Sequence, residues 1–87
     1  MESITNITID PEKEFKKALG IEIASLRARN KLTRKELASK SGLHIQFIHD
    51  VEHGRRNVSV VTLAKIAHSL NTIASDLLSD KELEPLT

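Results

Sequence analysis

Apolar residues recur along the middle of this chain at three- and four-residue steps, in stretches separated by polar punctuation. That is the period of helices, not of strands. Asp10-Pro11 reads as a cap followed by proline at the first helical position, and Phe15, Ala18, Leu19, Ile23 and Leu26 then mark one amphipathic helix to about Arg29. Gly20 lies inside it and costs about 1 kcal/mol relative to alanine by propensity. Thr33 and Glu36 have capping-box spacing at the head of a short helix from Arg34 to about Lys40, which Ser41-Gly42 stops. Leu43 opens a third segment, in which Ile45, Ile48 and Val51 share a face up to Gly54. Ser59 caps a fourth, with Leu63, Ile66, Ala67 and Leu70 as its stripe, and Asn71 suits the left-handed position after its end. A last helix is expected from Ala74 to Ser79. Residues 1–9, with Ile4, Ile7 and Ile9 among polar neighbours, read as an extended arm, and the acidic residues 80–87, with Pro85, as a fraying tail. The expected fold class is all-α: a compact five-helix domain over residues 10–79.

Composition narrows what such a domain can be. At 87 residues the chain is one domain, near the lower limit for a self-sufficient core. Phe15 and Phe47 are its only aromatics, so the core must be aliphatic. The absence of cysteine excludes disulfides and thiolate–metal sites, leaving a partner chain as the support for a small core. No apolar run approaches the ~20 residues of a membrane span, and the first residues lack the basic-then-apolar pattern of a signal peptide. A cytoplasmic protein without a membrane partner is expected. The triplets Asn6-Ile7-Thr8 and Asn57-Val58-Ser59 are then chance matches to a glycosylation pattern.

Charge is uneven. From Arg27 to Arg56, eight basic residues stand against Glu36, Asp50 and Glu52, while both flanking segments are net acidic. A basic centre between acidic ends marks a local surface for polyanions. It coincides with a tight corner, because only Ser41 to Leu43 separate the second and third segments, a spacing that suits a helix-turn-helix. Ala38 is small where the second helix must be crossed closely, Gly42 sits where a positive φ is easy only without a Cβ, and Ile48 points inward from the third segment.

These landmarks resemble the lambda-repressor-like, Cro/C1-type helix-turn-helix family over roughly Ile21 to Leu78. The matching residues are Leu26-Arg27 before Leu32-Thr33, Glu36-Leu37-Ala38, Ser41-Gly42-Leu43, Ile48, Glu52-His53-Gly54 and Thr62-Leu63 followed by Ile66-Ala67 and Leu70. The segment from Gly54 to Ser59 is similar to that of restriction–modification controller proteins. The resemblance implies a dimeric, sequence-specific regulator of double-stranded DNA, working without a cofactor or an evident small-molecule ligand, with the third helix as reader.

Carried over residue by residue, the resemblance assigns phosphate contacts to Thr33, Arg34, Arg55, Arg56, Asn57 and Ser59, and base readout to His44, Ile45, Gln46 and His49. Gln46 is the best reader, since a planar amide can bond bidentately to adenine. Ile45 either packs on a thymine methyl or joins the core. Asp50 is a departure: it can accept from cytosine but repels phosphate. Arg27 and Glu52 are implied to pair, fixing the reader helix to the scaffold. Ile73, Leu77 and Leu78 exceed what one short helix can bury, so part of that surface is expected to face a twin across a two-fold axis.

The sequence also bears on two other function classes. His49-Asp50-Val51-Glu52-His53 matches the H-x-x-E-H zinc-peptidase pattern, but a small helical domain offers little cleft, and Glu52 is implied to pair with Arg27. With no cysteine nucleophile, G-x-S-x-G elbow or glycine-rich phosphate loop, no enzyme is expected. A DNA-binding antitoxin that also sequesters a protein toxin remains the alternative regulator; the tail leaves little room for a toxin-binding segment, but the N-terminal arm could serve.

Overall fold

The computed structural model describes residues 10–78, whose regular structure consists of five helices: α1 (Pro11–Arg29), α2 (Arg34–Ser41), α3 (Ile45–Glu52), α4 (Val60–Ser69) and α5 (Ala74–Leu78). The arm expected over residues 1–9 and the tail expected over 80–87, together with Ser79, lie outside the described residues.

Local chemistry sets the helix starts. Asp10 Oδ1 accepts from the amides of Glu12 and Lys13 at 3.1 and 3.3 Å, and Pro11 follows at the first helical position. Thr33 and Glu36 form a reciprocal capping box, the hydroxyl accepting from the Glu36 amide at 3.0 Å and the carboxylate accepting from the Thr33 amide at 2.8 Å. Ser59 Oγ accepts from the Thr62 amide at 3.1 Å. His44 caps α3 without a side-chain hydrogen bond.

The ends of α1 to α4 share one solution. Each closes with a left-handed residue whose amide, and that of the next residue, bond back to carbonyls of the last turn. At the α2–α3 corner this residue is Gly42, at φ 71°, with Leu43 N–H donating to Ala38 O at 2.9 Å and Gly42 N–H to Ser39 O at 3.3 Å. Lys31, Gly54 and Asn71 take the same position after α1, α3 and α4. Asn71 has a short side chain suited to this conformation; Lys31, at φ 58°, does not.

The core is aliphatic throughout: Leu19, Ile23, Leu37, Ala38, Ile48, Val51, Leu63, Ile66, Ala67, Leu70 and Leu77. Phe15 and Phe47 pack on its edge. Helix α3 is clamped between α1 and α2, α4 backs α2, and α5 closes the far side against α1 and α4.

The structure departs from the sequence expectation at three points. Ile45 does not share the buried face of Ile48 and Val51; it is half exposed, because α3 turns that side away from the clamp. Leu77 is fully buried within the monomer, where α5 docks on α1 and α4, and is thus unavailable to a twin, whereas Ile73 and Leu78 are exposed. Gly20 is not a mere propensity defect. A Cβ there would stand 2.6 Å from the backbone oxygen of Glu52 and closer still to that of Val51, so its hydrogen is what lets α1 lie on the end of α3.

Candidate nucleic-acid interface

The corner made by α2 and α3 leaves a shallow concavity on one side of the molecule, lined by Arg27, Thr33, Arg34, Lys35, Ile45, Gln46 and His49. Helix α3 forms one wall because Ile48 and Val51 face inward, which turns His44, Ile45 and Gln46 out to solvent. The start of α2 forms the other wall. Arg55, Arg56, Asn57 and Ser59 are exposed on the loop between α3 and α4. The hydroxyls of Thr33 and Ser59 are both engaged in capping their own helices.

Beneath the concavity lies a charged knot. Glu52, its side chain only 2% exposed, receives Arg27 Nε at 2.6 Å and Arg27 Nη2 at 3.1 Å. A third donor, Arg34 Nε, reaches the same carboxylate at 2.9 Å. Arg27 Nη1 also donates to the Leu32 carbonyl at 2.9 Å, so α1, the loop, the start of α2 and the end of α3 meet at one carboxylate. Besides the phosphate contact that the resemblance implies for it, Arg34 thus has a structural partner at Nε. The link between Arg34 and Glu52 had no signal in the sequence, because the two residues lie 18 positions apart on different helices.

A second network lies along the exposed side of α3. Gln46 Nε2 donates to Asp50 Oδ1 at 3.0 Å, a spacing of four residues on one helical face. Arg56 Nε is 3.9 Å from Asp50 Oδ2, and its guanidinium sits 5.0 Å from the centre of the Phe47 ring. The Phe47 ring thus serves as a platform for Arg56. His49 Nδ1 is buried without a hydrogen-bond partner, 3.6 Å from Asp50 Oδ1, and its ring stacks on His53 at 4.2 Å. The Asp50 carboxyl is held below its ordinary value, chiefly by the Gln46 hydrogen bond, with His49 and Arg56 adding to it and desolvation opposing. Of this network the sequence held one unread signal, the four-residue spacing of Gln46 and Asp50.

His49, Glu52 and His53 do not assemble a catalytic metal centre, because Glu52 is committed to two arginines. Among the described residues no helix is long and apolar enough to cross a membrane.

Comparison with known proteins agrees with this geometry. Residues 23–78 match the family described as Helix-turn-helix. The control protein C.SmaI of Serratia marcescens is 38% identical over 71 residues, covering 82% of this chain and 84% of the relative. Among solved structures, the clp gene regulator ClgR from Corynebacterium glutamicum superposes with a TM-score of 0.75 at 34% identity, over 82% of this chain and 76% of that one. The restriction–modification controller protein C.AhdI from Aeromonas hydrophila does so with a TM-score of 0.70 at 34% identity, over 71% and 94%.

Proposed function

This chain belongs to the helix-turn-helix family of DNA-binding transcription regulators, and we propose that it acts as a cytoplasmic homodimer on a (pseudo)palindromic operator, each copy laying α3 in a major groove. The observation that carries the reading is the concavity. It sets the exposed Ile45 and Gln46 and the half-exposed His49 beside Thr33, Arg34 and Lys35, so one surface combines candidate base readers with positive charge. In this arrangement the outer nitrogens of Arg34, with Arg55, Arg56, Asn57, Ser59 and the Thr33 hydroxyl hydrogen, which capping leaves free to donate, grip phosphates. His44, Ile45, Gln46 and His49 then meet base edges. Similarity to C.SmaI and C.AhdI supports a place in the control of restriction–modification genes.

Phosphate neutralisation releases counterions, so affinity should fall steeply with salt. Arg56→Ala is expected to weaken cognate and random DNA alike and to reduce the slope of log K against log salt by about 1. Titration by fluorescence anisotropy between 50 and 200 mM salt, on the order of the range where such contacts show, measures it. A wild-type slope near zero would remove the basic centre from the interface.

One reader helix covers too few base pairs for regulation, so two half-sites about one helical turn apart are expected. Ile73, 61% exposed, and Leu78 offer apolar surface late in the chain for the two-fold contact. Ile73→Glu should weaken dimerisation by about tenfold or more while leaving helix content unchanged. Sedimentation alongside operator binding tests this, and a variant that stays fully dimeric moves the interface off that surface.

A further inference from the structure

Helix α3 carries an acidic residue, Asp50, on the side turned toward the proposed groove, where a carboxylate can accept from cytosine but repels phosphate. Its contacts give it another role. Asp50 accepts from Gln46 Nε2 at 3.0 Å and has Arg56 Nε at 3.9 Å, so a donor and a cation converge on it, with the unbonded His49 Nδ1 at 3.6 Å. Arg56 approaches from the neighbouring loop and is itself steadied on the Phe47 ring. Much of the negative charge is therefore answered within the protein.

We propose that Asp50 is a specificity-determining positioning residue: it fixes the polarity of the Gln46 amide so that this reader selects a base offering an amino group, adenine or cytosine, and rejects guanine and thymine. The inference rests on the reading of Gln46 as a base contact and adds to it which bases Gln46 admits.

The physical reason is the one-sidedness of a carboxylate. A free glutamine side chain presents a carbonyl oxygen and an amide nitrogen that exchange places by a half-turn, so it accommodates either a donor or an acceptor on a base edge. An ionised carboxylate accepts hydrogen bonds and donates none. With Asp50 ionised, only Nε2 can face it, and the half-turn would set Oε1 against Oδ1. The lowered proton affinity of Asp50 keeps it in that acceptor-only form across the pH range in which proteins bind duplex DNA. Nε2 keeps one hydrogen free, so Oε1 leads outward with that N–H beside it, the pair that adenine N6 and N7 complete. In the major groove, adenine N6 and cytosine N4 are donors, while guanine O6 and thymine O4 are acceptors. An outward oxygen meets a partner in the first pair and a like lone pair in the second.

Selection from a random duplex library, using the full chain as wild type, Gln46→Ala, Asp50→Ala and Asp50→Asn, tests the proposal, with circular dichroism as a check on folding. The wild type is expected to show a position in each half-site where adenine or cytosine exceeds guanine and thymine by about tenfold or more. Gln46→Ala should abolish that preference. Both Asp50 variants should reduce it to about threefold or less at that position alone, leaving the rest of the motif intact, because alanine frees the amide and asparagine can either accept or donate. Their affinity for random DNA should hold or rise, since a negative charge has gone. If Gln46→Ala loses the preference but the Asp50 variants keep it, Asp50 does not set the amide and the proposal fails while the reader role stands. If Gln46→Ala keeps it, the reader role itself fails and the proposal with it. A wild-type preference for guanine or thymine at the Gln46 position, or loss of all binding by folded Asp50 variants, also overturns it.

Discussion

Gly20→Ala is expected to destabilise the domain by about 3 kcal/mol, near the upper end for overpacking, although alanine is the better helix former. The added methyl would sit 2.6 Å from Glu52 O and closer to Val51 O, and both obstacles are backbone. A flexible side chain could swing aside. Here the carbonyls belong to the last turn of α3, so relief requires α1 and α3 to part. Their separation would disturb Leu19 and Ile23 on one side and Ile48 and Val51 on the other, all of them core residues. For a domain of this size the loss corresponds to about 12–24 °C in Tm. Urea or thermal unfolding of the two proteins measures it, and the sign is diagnostic. An exposed helix glycine replaced by alanine gains about 1 kcal/mol, so a stabilised variant would mean the helices do not cross as described.

The same position shows where sequence reading stops. Punctuation is local chemistry, and it was legible: Asp10-Pro11, the Thr33–Glu36 box, Gly42 and Asn71 each act within a few residues of themselves. Period was legible too, since Leu63, Ile66, Ala67 and Leu70 are buried as their spacing requires. The close crossing at Gly20 depends on which backbone comes to meet it, and no window of sequence contains both partners. Lys31 is a similar case, since nothing in a lysine announces a left-handed conformation that the chain reversal after α1 imposes. On the interface, periodicity brought Ile45 in with Ile48 and Val51. A helix of eight residues buries only the stripe its neighbours can reach, and Ile45 falls outside it. Leu77 went the other way: counting apolar residues overlooked that α5 has two helices to dock against.

Glu52→Ala is expected to cost about 3 kcal/mol, the low end for breaking a buried ion pair, because one carboxylate serves two cations. Its side chain is 2% exposed, against 17% for Arg27 and 39% for Arg34. Removing it leaves Arg27 partly desolvated with the Leu32 carbonyl as its remaining acceptor, while Arg34 rehydrates at little cost. The knot therefore fails asymmetrically. Arg27→Ala should cost less than Glu52→Ala, because Arg34 still neutralises the buried carboxylate. Arg34→Ala should cost about 1 kcal/mol or less, as expected of a half-exposed pair. The functional losses should run in a different order. Arg34 is proposed to touch phosphate, so its removal should weaken DNA binding with little change in stability, whereas Arg27→Ala should lower stability first. Urea unfolding of the single variants, with a double-mutant cycle on Arg27 and Glu52, separates the pair from the lost packing of each side chain. A coupling energy within about 0.5 kcal/mol of zero would mean that the two residues act independently and that the end of α3 is held by its apolar contacts alone.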